Sequence, residues 1–414
     1  MIKPSVLAAG LLLACCQSIK ASAQDTSLVK PVGNDRAEKT HAPTDSAQEK
    51  DLIDCVDKLR HRHTKTIFVD TVTAKPSISF IPAIGYTLTS GLGLVLSGNA
   101  AFRTGADDRI STITASTSFS QKKQFTVPVE SIIWLDANKF LLIGDYRFYA
   151  YPQSTYGLGS NSRLSNEDPM DFTLVRFYQT AMRHVTGNFY LGGGYIFDFH
   201  GDVDESGNKN QQPADFKTYL PLPHTVSTGF TANGLLDSRD NSIAATKGYY
   251  AAFQLRENYR FMGSTNKWGS LILDLRHYIN FPAGSSNVLA LWSYDWLVLN
   301  GKPPYLDLPA TSWDPYTSTG RGYIQGRFRG AQMVYAEAEY RYRISANGLF
   351  GGVFFLNAQS FSAAPGTRLQ TVQPGFGPGL RVKLNKLTKT NVCIDYGFGT
   401  QGSKGLFVNV GEMF

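Results

Sequence analysis

The chain has 414 residues, of which 42% are hydrophobic, 13% are aromatic and only 18% are charged. Soluble domains usually carry about a quarter of charged residues, so this chain is poor in charge. The mean hydropathy of −0.19 excludes a bundle of membrane helices, and a formal net charge of +7 without a basic run argues against a nucleic-acid partner. Few charges with many Tyr, Phe and Gly residues favour a β-rich protein whose outside faces lipid.

Residues 1–23 have the pattern of a secretory signal peptide. A positive start and a short apolar core precede Ala21-Ser22-Ala23, a small-residue cleavage site. An alternative is a lipoprotein-like box that would leave a lipidated Cys15. Both interpretations predict export, and cleavage after residue 23 leaves only Cys55 and Cys393, too few for a disulfide framework.

Residues 24–75 differ from the rest of the chain because they are polar and almost free of aromatic side chains. The one periodic piece, residues 51–60, predicts a short amphipathic helix within an otherwise flexible tail. His61 and His63 stand in a basic stretch, where solvated histidines are far more common than metal ligands. We therefore predict no metal site in this tail.

From residue 76 to residue 414 apolar and polar side chains alternate. An alternation with a period of two residues, in which one face is charged, predicts strands that have one face in contact with water. No apolar run reaches the roughly 18 residues that a membrane-spanning helix needs. In residues 270–280, for example, Leu271, Leu273, Leu275 and Ile279 form one face and Asp274, Arg276 and Asn280 form the other.

The predicted strands are about 10 to 14 residues long, a length that suits a tilted bilayer crossing better than a soluble sandwich. Short turns alternate with long loops, the longest being 152–170, 201–223 and 300–328. We therefore predict an all-β fold, a transmembrane antiparallel β-barrel of about sixteen strands over residues 76–414. The predicted strands are 77–88, 91–103, 110–121, 124–135, 139–151, 171–184, 188–200, 224–235, 248–262, 267–281, 287–299, 329–345, 348–361, 374–385, 389–400 and 404–414.

Several short motifs occur along this region in a fixed order. They are Phe80-Ile81-Pro82-Ala83-Ile84-Gly85-Tyr86, Asp237-Ser238-Arg239-Asp240-Asn241 with Gly248, Arg321-Gly322-Tyr323, Glu339-Tyr340-Arg341-Tyr342, Asp395-Tyr396-Gly397 and Gly411-Glu412-Met413-Phe414. In this order and at these places among sixteen strands, they resemble motifs of the BamA/TamA family of outer-membrane barrels, also called the bacterial surface antigen family. The resemblance covers about residues 76–414.

The resemblance implies that the long sixth outer loop folds into the barrel lumen and is tied there by Arg321. A guanidinium binds carboxylates bidentately in a poorly hydrated site, and Glu337 and Glu339 are expected to point inward on the next strand. The family often carries an aspartate where this chain has Asn357. The predicted loop-anchoring motif is thus Arg321, Gly322, Tyr323, Glu337, Glu339 and Asn357.

The resemblance also implies a lateral seam between the first and the last strand. Pro82 lacks a backbone N–H and Gly411 lacks a side chain, so both are expected to weaken this seam, which ends at Phe414. The alternative is that Pro82 and Gly411 merely occupy strand rims. A periplasmic turn motif before the ninth strand is predicted at Asp237, Arg239, Asp240 and Gly248.

Residues 24–75 are too few and too polar to form the periplasmic POTRA modules that precede many barrels of the family. The tail would lie in the periplasm, and a separate periplasmic partner would replace those modules. The implied function is insertion or translocation of proteins or lipids at the outer membrane, in contact with outer-membrane lipid, with the client unknown and no cofactor. The alternative is a passive solute channel, favoured by a basic lumen composed of Arg256, Arg260, Arg276, Arg341, Arg343, Arg381 and Lys383.

Enzymatic motifs are missing from the sequence. There is no Gly-x-Ser-x-Gly, His-Glu-x-x-His or P-loop pattern. Asp198, His200 and His224 could form the rim site of a barrel hydrolase, but lone polar residues at strand ends are normally structural. We therefore predict that the chain is not an enzyme.

Overall fold

The computed structural model describes residues 49–52, 54–55, 76–205, 215–386 and 389–414. The predicted signal peptide 1–23 and most of the predicted tail 24–75, with Cys15, His61 and His63, lie outside the described residues. Among the described residues, no helix is long and apolar enough to cross a membrane.

In the described part of the chain, long strands follow one another from residue 77 almost to the end. Sixteen of them form the wall, and one short strand, β6, lies in a loop. The strands are β1 (Ser77–Thr87), β2 (Gly91–Phe102), β3 (Ser111–Ser120), β4 (Phe125–Leu135), β5 (Phe140–Ala150), β6 (Gln153–Thr155), β7 (Asp168–Thr186), β8 (Phe189–Asp204), β9 (Thr225–Asp237), β10 (Gly248–Asn258), β11 (Trp268–Asn280), β12 (Val288–Gly301), β13 (Gln332–Arg343), β14 (Phe350–Phe361), β15 (Gln373–Asn385), β16 (Thr390–Phe398) and β17 (Lys404–Val410). A short helix, α1 (Asp215–Tyr219), precedes β9.

Each wall strand pairs antiparallel with the next one along the chain, and β5 pairs with β7 past the short β6. The predicted antiparallel barrel of sixteen strands is therefore confirmed. Because directions alternate, the loops 151–167, 302–331 and 362–372 and the described residues 215–224 all lie at one end, the long-loop end. The other end is the short-turn end. The tight turn at Thr89 and Ser90, which the sequence groups with the short turns, lies at the long-loop end.

Alternation along each strand separates the two faces of the wall. On β12, Trp292 and Tyr294 point inward and are 2% and 1% exposed, whereas Leu291 and Leu299 point outward and are 37% and 51% exposed. Large apolar side chains cover the outer face elsewhere too, which is the pattern of a wall that faces lipid. Examples are Phe80, Leu94, Phe119, Phe354, Leu356 and Phe376.

Three predicted strand ends are wrong by four residues. The strand predicted over 188–200 continues to Asp204. The strand predicted over 248–262 ends at Asn258, because Arg260–Met262 form a 3-10 turn that Gly263 closes with φ 101°. The last strand ends at Val410 rather than 414, and Gly411 follows it with φ 94°. Arg260 and Arg343, which the sequence places in the lumen, lie outside it: Arg260 is exposed, and the Arg343 side chain is 37% exposed at the short-turn end.

The joint between β1 and β17 differs from every other joint of the wall. The two strands lie side by side, but among the described residues no backbone ladder joins them. β17 has 7 residues and β1 has 11. The barrel is thus nearly closed, with one joint that its main chain does not seal.

One ionisable side chain faces outward halfway along β12. Asp295 stands opposite Leu273 on β11 and Val334 on β13, which share the outer face. Its Oδ1 atom is buried and has no hydrogen-bond donor among the described residues, and its Oδ2 atom lies 3.5 Å from the hydroxyl of Ser293. A carboxylate is therefore held against the apolar wall.

Asp295→Leu is expected to stabilise the barrel by roughly 1–2 kcal/mol, because a charge on the lipid face is costly near the bilayer centre. Urea unfolding in lipid vesicles measures this change. Asp274→Leu is the matched control: Asp274 points inward and accepts hydrogen bonds from Arg276 and Trp292, so its loss should destabilise. If Asp295→Leu leaves the stability of the barrel unchanged or lowers it, the carboxylate of Asp295 does not destabilise the outer wall.

Candidate functional site

Loop 302–331, between β12 and β13, fills the lumen at the long-loop end, as the sequence predicts. Tyr305 and Phe328 are 1% and 0% exposed. The loop contacts the other long loops through side chains: the hydroxyls of Thr155 and Tyr305 are 2.6 Å apart, and Tyr151 donates to Gln325 at 2.7 Å. The loop is therefore packed into the barrel rather than extended into solvent.

Arg321 is the residue of this loop that the sequence predicts as its anchor, and it pairs with three carboxylates. Its guanidinium is 1% exposed, and it donates to Asp395 at 2.6 Å, to Glu339 at 2.5 Å and to Glu337. The guanidinium carbon also lies 3.8 Å from the centre of the Phe355 ring. The structure thus brings the predicted arginine and both predicted glutamates together and adds a third carboxylate.

The backbone beside Arg321 touches the backbone of the wall. Gly322 has φ 106°, and a Cβ there would stand 2.7 Å from the carbonyl oxygen of Phe398. A Cβ at Gly397 would stand 2.5 Å from the nitrogen of Gly322, and one at Gly375 would stand 2.6 Å from the carbonyl oxygen of Arg321. Glycine is needed on both sides of this contact, since any side chain would push the loop away from β15 and β16.

Tyr323 and Asn357 hold the same loop turn through hydrogen bonds. The hydroxyl of Tyr323 donates to the carbonyl oxygen of Pro374 at 2.5 Å and accepts from the Thr400 N–H at 2.9 Å. The Asn357 amide donates to the carbonyl oxygen of Arg321 at 3.0 Å. Asn357 therefore contacts the loop backbone, and Asp395 on β16 supplies the additional negative charge.

Two further arginines extend the cluster toward the short-turn end. Arg341 donates to Glu339 at 2.6 Å, and Arg381 binds Asp395 and donates to Glu412 at 2.8 Å. Three arginines thus share four carboxylates, counting Glu337. Asp395 is predicted to face the lumen but not to bind Arg321, and Glu412 is predicted only as part of a strand motif. The alternation of β16 shows that Asp395 points inward, but it does not show which side chain Asp395 meets across the lumen.

The three residues predicted for the lateral seam lie in different parts of the barrel. Pro82 pairs with Leu96 in the middle of β1, so the rim alternative is wrong for this residue. Gly411 lies beyond β17 and donates its N–H to the carbonyl oxygen of Asn391 at 2.8 Å. Phe414 is not at the seam: it is 6% exposed and stacks on Trp292 in the lumen with ring centres 5.0 Å apart. The chain turns inward after Val410, which carries Phe414 away from β1.

The predicted turn motif forms a compact unit between β9 and β10. Arg239 donates to both carboxylate oxygens of Asp237 at 3.0 and 2.8 Å. Asp240 accepts hydrogen bonds from the side chain and N–H of Thr246. Burial would raise the pKa of Asp240, but these hydrogen bonds and that from the Lys247 N–H lower the pKa below its usual value.

Gly248 ends this turn with φ 99°, and a Cβ there would stand 2.4 Å from the carbonyl oxygen of Ser238. Each of the four predicted residues thus has a local structural role in the turn. The turn lies at the short-turn end, as the predicted motif requires.

The residues considered for a hydrolase site do not form one. Asp198 is paired with Arg176 at 2.9 Å and Arg256 at 3.0 Å. His200 is buried 3.7 Å from Asp307, whereas His224 is exposed. In the part of the chain that the structure describes, no group of His, Cys, Asp or Glu side chains could hold a metal ion. Asp198 therefore serves a buried ion-pair cluster on the inner wall.

These features define an outer-membrane type of β-barrel, with a loop held in its lumen by an arginine–carboxylate cluster. Many solved structures are similar to the chain, among them BamA and CdiB. BamA from Haemophilus ducreyi lacking POTRA domains 1–3 has a TM-score of 0.52 and 14% identity over 81% of this chain and 69% of that chain. CdiB from Acinetobacter baumannii has a TM-score of 0.52 and 12% identity over 81% of this chain and 60% of that chain.

The chain therefore spans less than two thirds of the CdiB chain that it matches. No protein-family model matches the sequence, and a comparison with curated proteins finds no match. At these identities the likeness concerns the fold. The BamA/TamA-type barrel that the sequence motifs predict is confirmed at that level.

Proposed function

We propose that this chain inserts or translocates proteins or lipids at the bacterial outer membrane, and that client segments leave through the joint between β1 and β17. The observation that carries the proposal is the combination of a filled lumen and a weak joint in the same barrel. Loop 302–331 occupies the lumen, and the joint between β1 and β17, which has no ladder among the described residues, faces lipid. Passage along the barrel axis is obstructed, whereas sideways passage crosses the weakest joint.

The energetics of the joint support this path. Each backbone hydrogen bond contributes only about 0.5–1.5 kcal/mol, but an ordinary joint of the wall has many of them acting together. Between β1 and β17 that contribution is missing among the described residues. Pro82, in the middle of β1, has no N–H with which to add one. Opening this joint therefore breaks side-chain contacts and little else.

The passive channel remains the second candidate, and the buried charges argue against it. Arg256, Arg276, Arg341 and Arg381, four of the seven basic residues proposed for an anion-attracting lumen, are bound to carboxylates. Arg260 and Arg343 lie outside the lumen. A conducting path would require loop 302–331 to leave the barrel, which the Arg321 contacts oppose.

The proposal includes the protein's cellular context. Residues 1–23 would act as a cleaved signal peptide, and residues 24–75 would form a periplasmic tail. A separate periplasmic protein would deliver the client. The lipid of the outer membrane would surround the apolar wall.

A photo-crosslinking amino acid placed at Phe80 tests the proposal in living cells. Phe80 points outward on β1 and is 64% exposed, so client strands that leave through the joint should be captured there. Phe177, 45% exposed on β7, is the matched control on a laddered part of the wall. Capture of newly made envelope proteins at Phe80 alone is expected, and equal capture at both positions contradicts the proposal.

A further inference from the structure

The amino-terminal segment 49–55, described at residues 49–52 and 54–55, lies against the short-turn end of the barrel. The N–H of Lys50 donates to the carbonyl oxygen of Asn347, in the turn between β13 and β14, at 2.9 Å. Glu49 pairs with Arg343 at 3.3 Å. Neither contact involves a residue of the loop-anchoring cluster.

Lys386, in the turn between β15 and β16, is the centre of this contact. Its N–H donates to Asp51 at 3.0 Å, and its ammonium binds Asp54 at 2.7 Å. The two aspartates also accept each other's backbone N–H groups, Asp54 to Asp51 at 2.8 Å and Asp51 to Asp54 at 3.2 Å. This reciprocal arrangement caps the start of a helix, and helical residues follow from Leu52.

The contact is specific in pattern but weak in strength. Asp51 is 4% exposed, yet the ion pairs of Lys386 with Asp54 and of Arg343 with Glu49 each leave about a third of the side chains in water. Such exposed pairs contribute little by themselves. The segment stays in place because its covalent link to the barrel gives it an effective concentration on the order of millimolar. A ligand with the same carboxylates and more contact area would displace it.

We propose that the surface formed by Arg343, Asn347 and Lys386 is a docking site for an acidic, helix-starting segment of a partner protein, and that residues 49–55 are its intramolecular competitor. The need for a separate partner rests on the proposed function. The chemistry of the partner segment follows from the observed contact. It has two carboxylates three residues apart at a helix start, preceded by a backbone N–H that donates to Asn347 and by a third carboxylate.

A synthetic peptide with the sequence of residues 46–60, with serine in place of Cys55 and a fluorescent label, tests the site on the full-length protein in lipid nanodiscs. Fluorescence anisotropy should show weak binding to wild type, whose surface is occupied. Binding should be about five- to tenfold tighter to the variant with Asp51→Ala and Asp54→Ala, in which the competitor is disabled.

Adding Lys386→Glu to that double variant should abolish peptide binding. Lys389→Glu is the matched control, because Lys389 lies in the same turn but pairs with Asp240, and it should leave binding unchanged. Equal affinity for wild type and the double variant, or binding that survives Lys386→Glu, overturns the proposal. Displacement of the peptide by anionic lipid vesicles instead of acidic peptides assigns the surface to headgroups and overturns it too.

The readout is independent of client insertion. If the peptide binds as expected but crosslinking at Phe80 fails, the docking site is supported and the insertion function is contradicted. The reverse pattern would remove the docking site alone.

Discussion

Arg321→Ala is expected to release loop 302–331 from the lumen and to destabilise the barrel by on the order of 3–5 kcal/mol. Removing one partner of a buried ion pair leaves the other charge without compensation. In the variant, Glu339 would still pair with Arg341, and Asp395 would still pair with Arg381. Glu337 would lose its arginine and would still accept the hydrogen bond from the hydroxyl of Tyr335. Loss of heat-resistant migration in detergent gels and larger, noisier currents in planar bilayers should follow.

Two companion variants separate this mechanism from general damage to the loop. Glu337→Gln in the Arg321→Ala background should recover part of the lost stability, because it removes the stranded charge. Arg327→Ala is the matched control: Arg327 is equally buried in the same loop, but its partners are Ser162 and Gln401 rather than carboxylates. If Arg321→Ala melts and conducts like wild type, loop 302–331 is not held by this cluster.

A disulfide between β1 and β17 is expected to lock the barrel and abolish its cellular activity, with recovery on reduction. Cysteine pairs along Phe80–Tyr86 and Gly405–Val410 would be tested in a Cys55→Ser background, since Cys393 is buried. A bond forms only where Cα atoms come within about 7 Å, so the pairs that crosslink also report the register of the joint. Growth of a strain that depends on the protein, and the levels of other outer-membrane proteins, measure the effect.

The control is a disulfide between Phe177 on β7 and Phe197 on β8, positions that already face each other in a ladder. It should form without loss of activity, because that joint has no reason to open. Bilayer conductance should change little with either disulfide. If the β1–β17 lock supports growth and assembly as well as wild type, the insertion proposal must be replaced by the channel.

The strand spans and the faces of the wall could be predicted from the sequence because they depend on a local rule. In an extended chain, neighbouring side chains point to opposite sides, so a period-two pattern marks both the length of a strand and its lipid face. Sixteen wall strands were found this way, whereas Arg321 was found because Arg321-Gly322-Tyr323 resembles a family motif. The same rule failed at Asn258, where a 3-10 turn closed by Gly263 follows the strand, and at Val410, where Gly411 with φ 94° follows it.

Contacts between side chains that are far apart in the sequence were decided by the tertiary structure. Arg321 meets Asp395 across 74 positions of sequence, and Lys386 meets Asp51 across 335; no local pattern encodes such a pairing. Phe414 follows the inward turn at Gly411 rather than the seam that its place in the chain suggested. Closure of the barrel sets which inward side chains face one another, and among the described residues it leaves β1 and β17 without a ladder. The sequence therefore determined the strands, their faces and the anchoring arginine with its two glutamates, whereas the tertiary structure decided the third carboxylate, the joint and the contact of the amino-terminal segment.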